Sequence, residues 1–122
     1  MVTSAELIKV LEGIRLYHVS METDLHGVVA ERLREAQIDF EKEAVLPGCG
    51  RIDFLVGTVG IEVKKGQPDT RALQAQLRRY AASERVEELI VVCEGRARVQ
   101  TQIGGKNCYL VTLRRNWGIA LP

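Results

Sequence analysis

The chain has 122 residues, of which 46% are hydrophobic and 27% charged, and its formal net charge is +1. This composition is typical of one compact globular domain, here covering residues 1–122. No apolar run is long enough to span a bilayer, and the first residues lack the layout of a signal peptide. We therefore expect a soluble, cytoplasmic protein without a membrane partner. The near-neutral charge neither requires nor excludes a nucleic-acid partner, because a local basic patch can coexist with it.

The beginning of the sequence predicts two helices. Thr3-Ser4-Ala5-Glu6 has capping-box spacing and apolar residues follow at helical intervals, so a first helix is expected near 4–15. The next stretch, "RLYHVS", fits either the frayed end of this helix or a short extended segment. Ser20 can cap a second helix near 21–36. Its apolar stripe consists of Leu25, Val28, Val29, Leu33 and Ala36.

The middle of the sequence predicts a strand followed by a hairpin. In "DFEKEAVL", Phe40, Lys42, Ala44 and Leu46 alternate with their neighbours, which is typical of a moderately polar strand. "PGCG" is a turn, and "RIDFLVG" and "GIEVKKG" are two strands joined by a short turn bounded by glycines.

A helix and two further strands are expected after the hairpin. The helix lies near 69–83, with Asp69 or Thr70 as its cap and an apolar line of Leu73, Leu77 and Ala81. "LIVVCE" is a continuous apolar run, typical of a central strand buried on both faces. A polar, glycine-containing connection leads to a last strand at "CYLVTL". The order α-α-β-β-β-α-β-β predicts an α/β fold in which a mixed central sheet is flanked by helices.

The predicted hairpin carries two acids and a lysine where a sheet interior is normally apolar. Because side chains alternate along a strand, Glu62 and Lys64 share one face, and Asp53 shares a face with Leu55. By the same alternation Ile52, Phe54 and Val56 take the opposite face. A turn near 57–60 places Asp53 beside Glu62 or diagonal to it, and the sequence leaves the register open by one residue.

Two apposed carboxylates repel each other unless a proton or a cation lies between them. Hard oxygen ligands suit Mg²⁺ or Mn²⁺, and the backbone carbonyl of Val63 is a natural further ligand. Lys64 would then orient an attacking water or stabilise negative charge on a phosphate. The alternative interpretation of Glu62 and Lys64 is a cross-strand or surface salt bridge without catalytic function.

Asp53 followed by Glu62-Val63-Lys64 resembles the active-site core of the PD-(D/E)XK nuclease superfamily. The order of elements around the hairpin is also similar, so that the resemblance covers roughly residues 20–115. The sequence departs from the family at Ile52, which stands where the motif has proline. The resemblance implies a restriction-endonuclease-like fold, a metal held by Asp53 and Glu62, and hydrolysis assisted by Lys64.

Gln76 and Tyr80 are four residues apart on one face of the third predicted helix. Their spacing resembles the Q-x-x-x-Y element of the RecB-like and virus-type replication-repair nuclease branches. This resemblance implies that both belong to the catalytic site. Taken alone, the pair is more typical of an amphipathic tyrosine at the edge of a core, whose hydroxyl needs a polar partner.

The superfamily often has a further acid on the helix before the hairpin. Glu22 falls on the apolar stripe of the second predicted helix, so it is the candidate for an outer metal or water ligand. A favourable acid at a helix N-terminus is the alternative. Candidate nucleic-acid contacts are His26, Lys65, Arg71, Arg78 and Arg79, since phosphate binding requires cations. A boundary histidine explains His26 and a solvated helix face explains Arg71 and Arg78 as well. Arg96 and Arg98 add positive charge later in the chain.

These observations lead us to expect an Mg²⁺- or Mn²⁺-dependent deoxyribonuclease. So short a chain leaves no room for a separate DNA-reading domain, which favours structure-selective cutting in repair, recombination or junction resolution. A homodimer is expected, with Trp117, Ile119 and Leu121 of the apolar tail as candidate contacts. RNA is the rival substrate. The rival function is a non-catalytic, nuclease-like module that binds nucleic acid or a partner protein.

Overall fold

The computed structural model describes residues 1–17, 24–113 and 115–116. Its helices are α1 (Ser4–Glu12), α2 (Leu25–Glu35) and α3 (Thr70–Ala81). Its strands are β1 (Leu16–Tyr17), β2 (Glu41–Leu46), β3 (Gly50–Val56), β4 (Val59–Lys64), β5 (Glu88–Cys93), β6 (Gln102–Ile103), β7 (Lys106–Thr112) and β8 (Arg115–Asn116). None of the helices in these ranges has the length and apolar composition needed to cross a membrane.

A side chain caps the beginning of α1 and of α3, whereas α2 follows an extended residue. Thr3 accepts a hydrogen bond from the backbone N–H of Glu6, as the capping-box spacing predicts. Asp69 caps α3 by accepting from the N–H of Ala72 at 2.9 Å, which decides between the two predicted caps. The second helix was expected to begin near residue 21, but Asp24 is extended and α2 begins at Leu25. Ser20, the predicted cap, lies outside the described residues.

Six strands form one mixed sheet in the order β2-β3-β4-β5-β7-β6. The strands β4, β5 and β7 are parallel, whereas β2, β3 and β4 form an antiparallel meander at one edge. The α/β class, the hairpin and the central strand β5 agree with the sequence-based expectation. Because β4, β5 and β7 are parallel, their carboxyl ends lie along the same edge of the sheet.

The predicted order of elements is incomplete, because the described chain has three additional two-residue strands. β1 and β8 pair in parallel as a small separate sheet, so that Leu16 and Tyr17 are extended rather than a frayed helix end. β6 lies in the connection that was expected to be irregular, and it pairs with β7. The turn between them uses Gly104 and Gly105, whose φ angles are +58° and +78°. This left-handed backbone favours glycine, and a strand of two residues is too short to show an alternating pattern.

The sheet separates two hydrophobic cores. α1 and α2 cover one face, where they pack against Phe54, Val56 and Ile61 among others. α3 covers the other face and packs against Ile52, Leu55 and Leu89 among others. α3 buries its predicted apolar line of Leu73, Leu77 and Ala81. α2 buries Leu25, Val29 and Leu33 of its predicted stripe, whereas Val28 is half-buried and Ala36 is exposed beyond the end of the helix.

The alternation of faces fails in β3 at Asp53. Ile52 packs beneath α3, while Phe54, two residues later, packs beneath α1 and α2. The expectation that these two side chains share a face is therefore wrong. The cause lies across the ladder, where Glu43 of β2 has a left-handed φ of +51°. By register Glu43 faces Asp53, and pairing is intact on both sides of this position. The outer part of the β2–β3 hairpin consequently turns toward α3.

Candidate active site

The register of the hairpin places Asp53 directly across from Glu62. Phe54 pairs with Ile61, and the described backbone pairing between β3 and β4 ends there, one position short of Asp53 and Glu62. Carboxylates replace the missing backbone partners. The N–H of Asp53 donates to Oε1 of Glu62 at 3.3 Å, and the N–H of Val63 donates to Oδ2 of Asp53 at 2.8 Å. Each acid is thus held in place by the backbone of the opposite strand.

Glu62 is the most deeply buried charged group of this site. Its side chain is 4% exposed, and Nζ of Lys64 lies 3.1 Å from its Oε2. Burial raises the pKa of Glu62 to about 7, and the neighbouring charge of Asp53 contributes to this rise, against the opposing effect of Lys64. The ammonium of Lys64 therefore offsets only part of the cost of bringing two acids together in a sheet interior.

The donor set suits a hard divalent cation. Carboxylate oxygens of Asp53 and Glu62 are the ligands that Mg²⁺ and Mn²⁺ prefer. The N–H of Val63 points toward Asp53, and in an extended strand the carbonyl of a residue points to the same side as its N–H. Within the described ranges, no group of three or more His, Cys, Asp or Glu side chains is arranged to hold a metal. Glu22, the predicted outer ligand, lies outside those ranges.

The imidazole of His26 contacts the carboxylate of Asp53. It lies in the first turn of α2, and its Nε2 is 3.3 Å from Oδ2 of Asp53. Its Nδ1 lies 3.8 Å from Asp24, so the imidazole stands between two carboxylates. The side chain is 46% exposed, which leaves one side of the ring open to solvent. The sequence suggested a phosphate contact for His26, but gave no indication of its position next to Asp53.

Gln76 and Tyr80 join α3 to the strand that carries Asp53. The hydroxyl of Tyr80 donates to the carbonyl of Arg51 at 2.9 Å, and it accepts from Nε2 of Gln76 at 2.9 Å. Burial raises the pKa of Tyr80 well above its ordinary value, and the charges of Glu62 and Asp53 add to this effect. Tyr80 therefore stays a neutral donor. Through the hydrogen bond to Arg51, the pair holds the backbone of β3 at a point two residues before Asp53.

The predicted cationic residues are distributed unevenly around the site. Lys65, Arg71, Arg78 and Arg79 are all exposed. Arg79 lines a cavity of about 350 Å³ together with Lys64 and Gln76, which places it on the Lys64 side of the site. Arg71 and Arg78 lie five residues before and two residues after Gln76, so at about 100° per residue they point to the far side of α3. The structure does not bring these two arginines to the site.

Comparisons of the chain with models of protein families, with curated proteins and with solved structures find no match. The function is therefore inferred from the geometry of the described residues. The central element of the site is the Asp53–Glu62 pair on separating strands, with Lys64 beside it.

Proposed function

We propose that this protein is an Mg²⁺- or Mn²⁺-dependent nuclease that hydrolyses phosphodiester bonds in DNA, on a fold of the restriction-endonuclease type. The observation that carries the proposal is the apposition of Asp53 and Glu62, with Nζ of Lys64 3.1 Å from Glu62. Burying Glu62 beside Asp53 is costly, and Lys64 offsets only part of that cost. A site for a cation and a phosphate explains why this cost is retained.

The side chains would have different roles, which follow from their positions in the site. Asp53 and Glu62 would hold the divalent ion, which when bound supplies a Lewis acid for the phosphate. Lys64 projects from the same face of β4 as Glu62, so its ammonium can orient the attacking water or neutralise charge that develops on the phosphate. Tyr80 and Gln76 would act by positioning, because their hydrogen bonds fix the backbone at Arg51.

A cleavage assay tests this proposal. Supercoiled plasmid and labelled single-stranded and double-stranded DNA are incubated with the protein and Mg²⁺, Mn²⁺ or EDTA. We expect cleavage with either ion, none with EDTA, and none for Asp53→Asn, which keeps the shape of the side chain but removes its charge. A labelled RNA of the same sequence shows whether the substrate is DNA alone. Wild-type cleavage that persists in Asp53→Asn would refute the assignment of the site.

The alternative function is a non-catalytic, nuclease-like module that binds nucleic acid or a partner protein. It is favoured by the internal partners of the acids, since Glu62 is paired with Lys64 and both acids accept backbone hydrogen bonds. This alternative predicts DNA binding without cleavage in the same assay. It also predicts that Asp53→Asn leaves binding in EDTA unchanged.

We further propose that two copies of the chain act together in the cytoplasm on structured DNA, such as a junction. A domain of 122 residues offers little surface for gripping a duplex, and two sites related by a twofold axis suit paired cutting. Trp117, Ile119 and Leu121, the predicted contacts, lie outside the described residues. Light scattering at tens of micromolar, with and without a four-way junction, should give the mass of a dimer, and a monomer in both conditions contradicts the proposal.

A further inference from the structure

A second cavity lies at the same edge of the sheet as the acid pair. It has a volume of about 370 Å³, and its lining includes Gln67, Thr70, Arg96, Arg98 and Thr112. Pro68 lines both this cavity and the one beside Lys64, so the two adjoin. They form a continuous path from Lys64 to the two arginines.

The topology sets the length of this path. Lys64 at the end of β4 pairs with Cys93 of β5, and Cys93 pairs with Thr112 of β7. Neighbouring strands are about 4.8 Å apart, so Lys64 and Thr112 are separated by about 10 Å. This distance exceeds the axial rise of about 3.4 Å per nucleotide, so a strand bound along it presents more than one phosphate to the protein. The carboxyl edge of parallel strands is also where open α/β sheets bind ligands.

The wall of the cavity is held by a close backbone contact. A Cβ atom on Gly95 would lie 2.7 Å from the carbonyl oxygen of Gly66, so the loops that follow β5 and β4 touch without side chains between them. The thiol of Cys93 also donates to the carbonyl of Gly66 at 3.2 Å. These contacts fix Gln67 on one loop relative to Arg96 on the other.

Both charged side chains that line this cavity are arginines, whereas Asp69 lines the adjoining cavity. Arg96 and Arg98 are exposed, and neither forms an ion pair with a carboxylate in the described part of the chain. The other polar lining groups, from Gln67, Thr70 and Thr112, are neutral. Each guanidinium presents five N–H donors in a planar fork that matches the oxygens of a phosphate.

We propose that the Arg96–Arg98 cavity is a phosphate subsite, which binds the backbone of the nucleic-acid strand at a phosphate beyond the one held at Asp53 and Glu62. The inference rests on the proposed nuclease function. It adds that the substrate is a strand long enough to reach both places, rather than a mononucleotide. Phosphate oxygens are contacted there and bases are not read, so binding at this subsite is independent of sequence.

The test uses the double variant Arg96→Gln/Arg98→Gln. Its matched control is Lys9→Gln/Arg34→Gln, which removes the same charge from exposed positions on α1 and α2. Binding of a fluorescent 20-nucleotide strand is measured by anisotropy in EDTA over a range of salt concentrations. We expect the affinity of the double variant to fall on the order of tenfold, and its salt slope to fall by about 0.7 for each phosphate that the variant no longer neutralises. The control should bind like wild type.

A second readout separates this inference from the proposed function. Bis(p-nitrophenyl) phosphate is a small phosphodiester that cannot reach from the acid pair to the arginines. With Mn²⁺, the double variant should hydrolyse it at the wild-type rate while losing cleavage of the long strand at limiting concentration. If the wild type hydrolyses nothing but the double variant still loses affinity, the nuclease proposal fails and the subsite stands. Wild-type affinity in the double variant, or an equal loss in the control, overturns the subsite. So does binding of inorganic phosphate at the arginines with DNA affinity unchanged.

Discussion

At the scale of single residues, the buried carboxyl of Glu62 makes the stability of the metal-free protein depend on pH. Its pKa is raised from 4.5 to about 7, so the folded state binds this proton more tightly than the unfolded chain. The stability that the raised pKa of Glu62 contributes to the folded state is fully present below pH 4.5 and is lost as the pH rises through 7. Glu62→Gln keeps a neutral side chain at every pH. In chelator it should exceed wild type by on the order of 3 kcal/mol at pH 8.5, with little difference at pH 4.5.

Urea unfolding at several pH values measures this difference. Glu84→Gln, a change at an exposed position, is the control and should follow wild type throughout. A difference between Glu62→Gln and wild type that does not change with pH would show that Glu62 is ionised equally in the folded and unfolded states.

Replacing Asp53 and replacing Lys64 should have different effects on Mn²⁺ binding and on cleavage. Asp53→Asn should weaken both Mn²⁺ binding and cleavage, because its carboxylate is a proposed ligand. Lys64→Ala should retain Mn²⁺ binding and lose on the order of 10²–10³ in cleavage rate, the usual effect of removing one electrostatic donor. Calorimetric titration with Mn²⁺ beside a cleavage time course distinguishes the two. A structural salt bridge between Lys64 and Glu62 predicts instead about 0–1 kcal/mol of lost stability and undiminished cleavage.

At the scale of elements, one hydroxyl connects α3 to β3. Tyr80→Phe removes the hydrogen bond to the carbonyl of Arg51 and leaves that acceptor without its partner. We expect a loss of about 1–2 kcal/mol in the free energy of unfolding. Cleavage should fall as well, because Arg51 precedes Asp53 by two residues. Gln76→Ala keeps the Tyr80–Arg51 bond and should cost less in both assays. If Tyr80→Phe lowers kcat with unchanged stability, the hydroxyl acts in the chemistry and not through β3.

The elements differ in how well the sequence predicts them, for physical reasons. α1, α3 and the β3–β4 hairpin carry caps, apolar stripes or glycine turns in their own sequence, so local rules suffice. The turn of β3 at Asp53 depends on the backbone of Glu43 ten residues earlier, and no local pattern reveals it. The acid pair could be predicted because the short turn between β3 and β4 leaves few registers. The contact of His26 with Asp53 could not, since it depends on how α2 meets the sheet.

At the scale of the whole molecule, a bound ion should stabilise the fold by mass action. An ion that binds only the folded state at a hundred times its Kd contributes about 2.7 kcal/mol. For a domain of this size that corresponds to a rise of several degrees in Tm. Differential scanning fluorimetry with millimolar Mn²⁺ should show this rise in wild type. Asp53→Asn should show none, and a Tm of wild type that is indifferent to Mn²⁺ counts against the site.

The contact between Gly66 and Gly95 has a consequence for which substitutions the chain tolerates. Gly57, in the turn between β3 and β4, has a φ of +59° with open space around it, so asparagine, which adopts left-handed backbone more readily than most residues, should be accepted there. Gly95 lacks space rather than conformational freedom, because any Cβ meets the backbone of Gly66. In a library of all amino acids at both positions, selection for DNA binding should return several residues at 57 and glycine alone at 95. Backbone conformation therefore limits substitution at Gly57, whereas lack of space limits it at Gly95. Only Gly95 reports on the contact between the loops that follow β4 and β5.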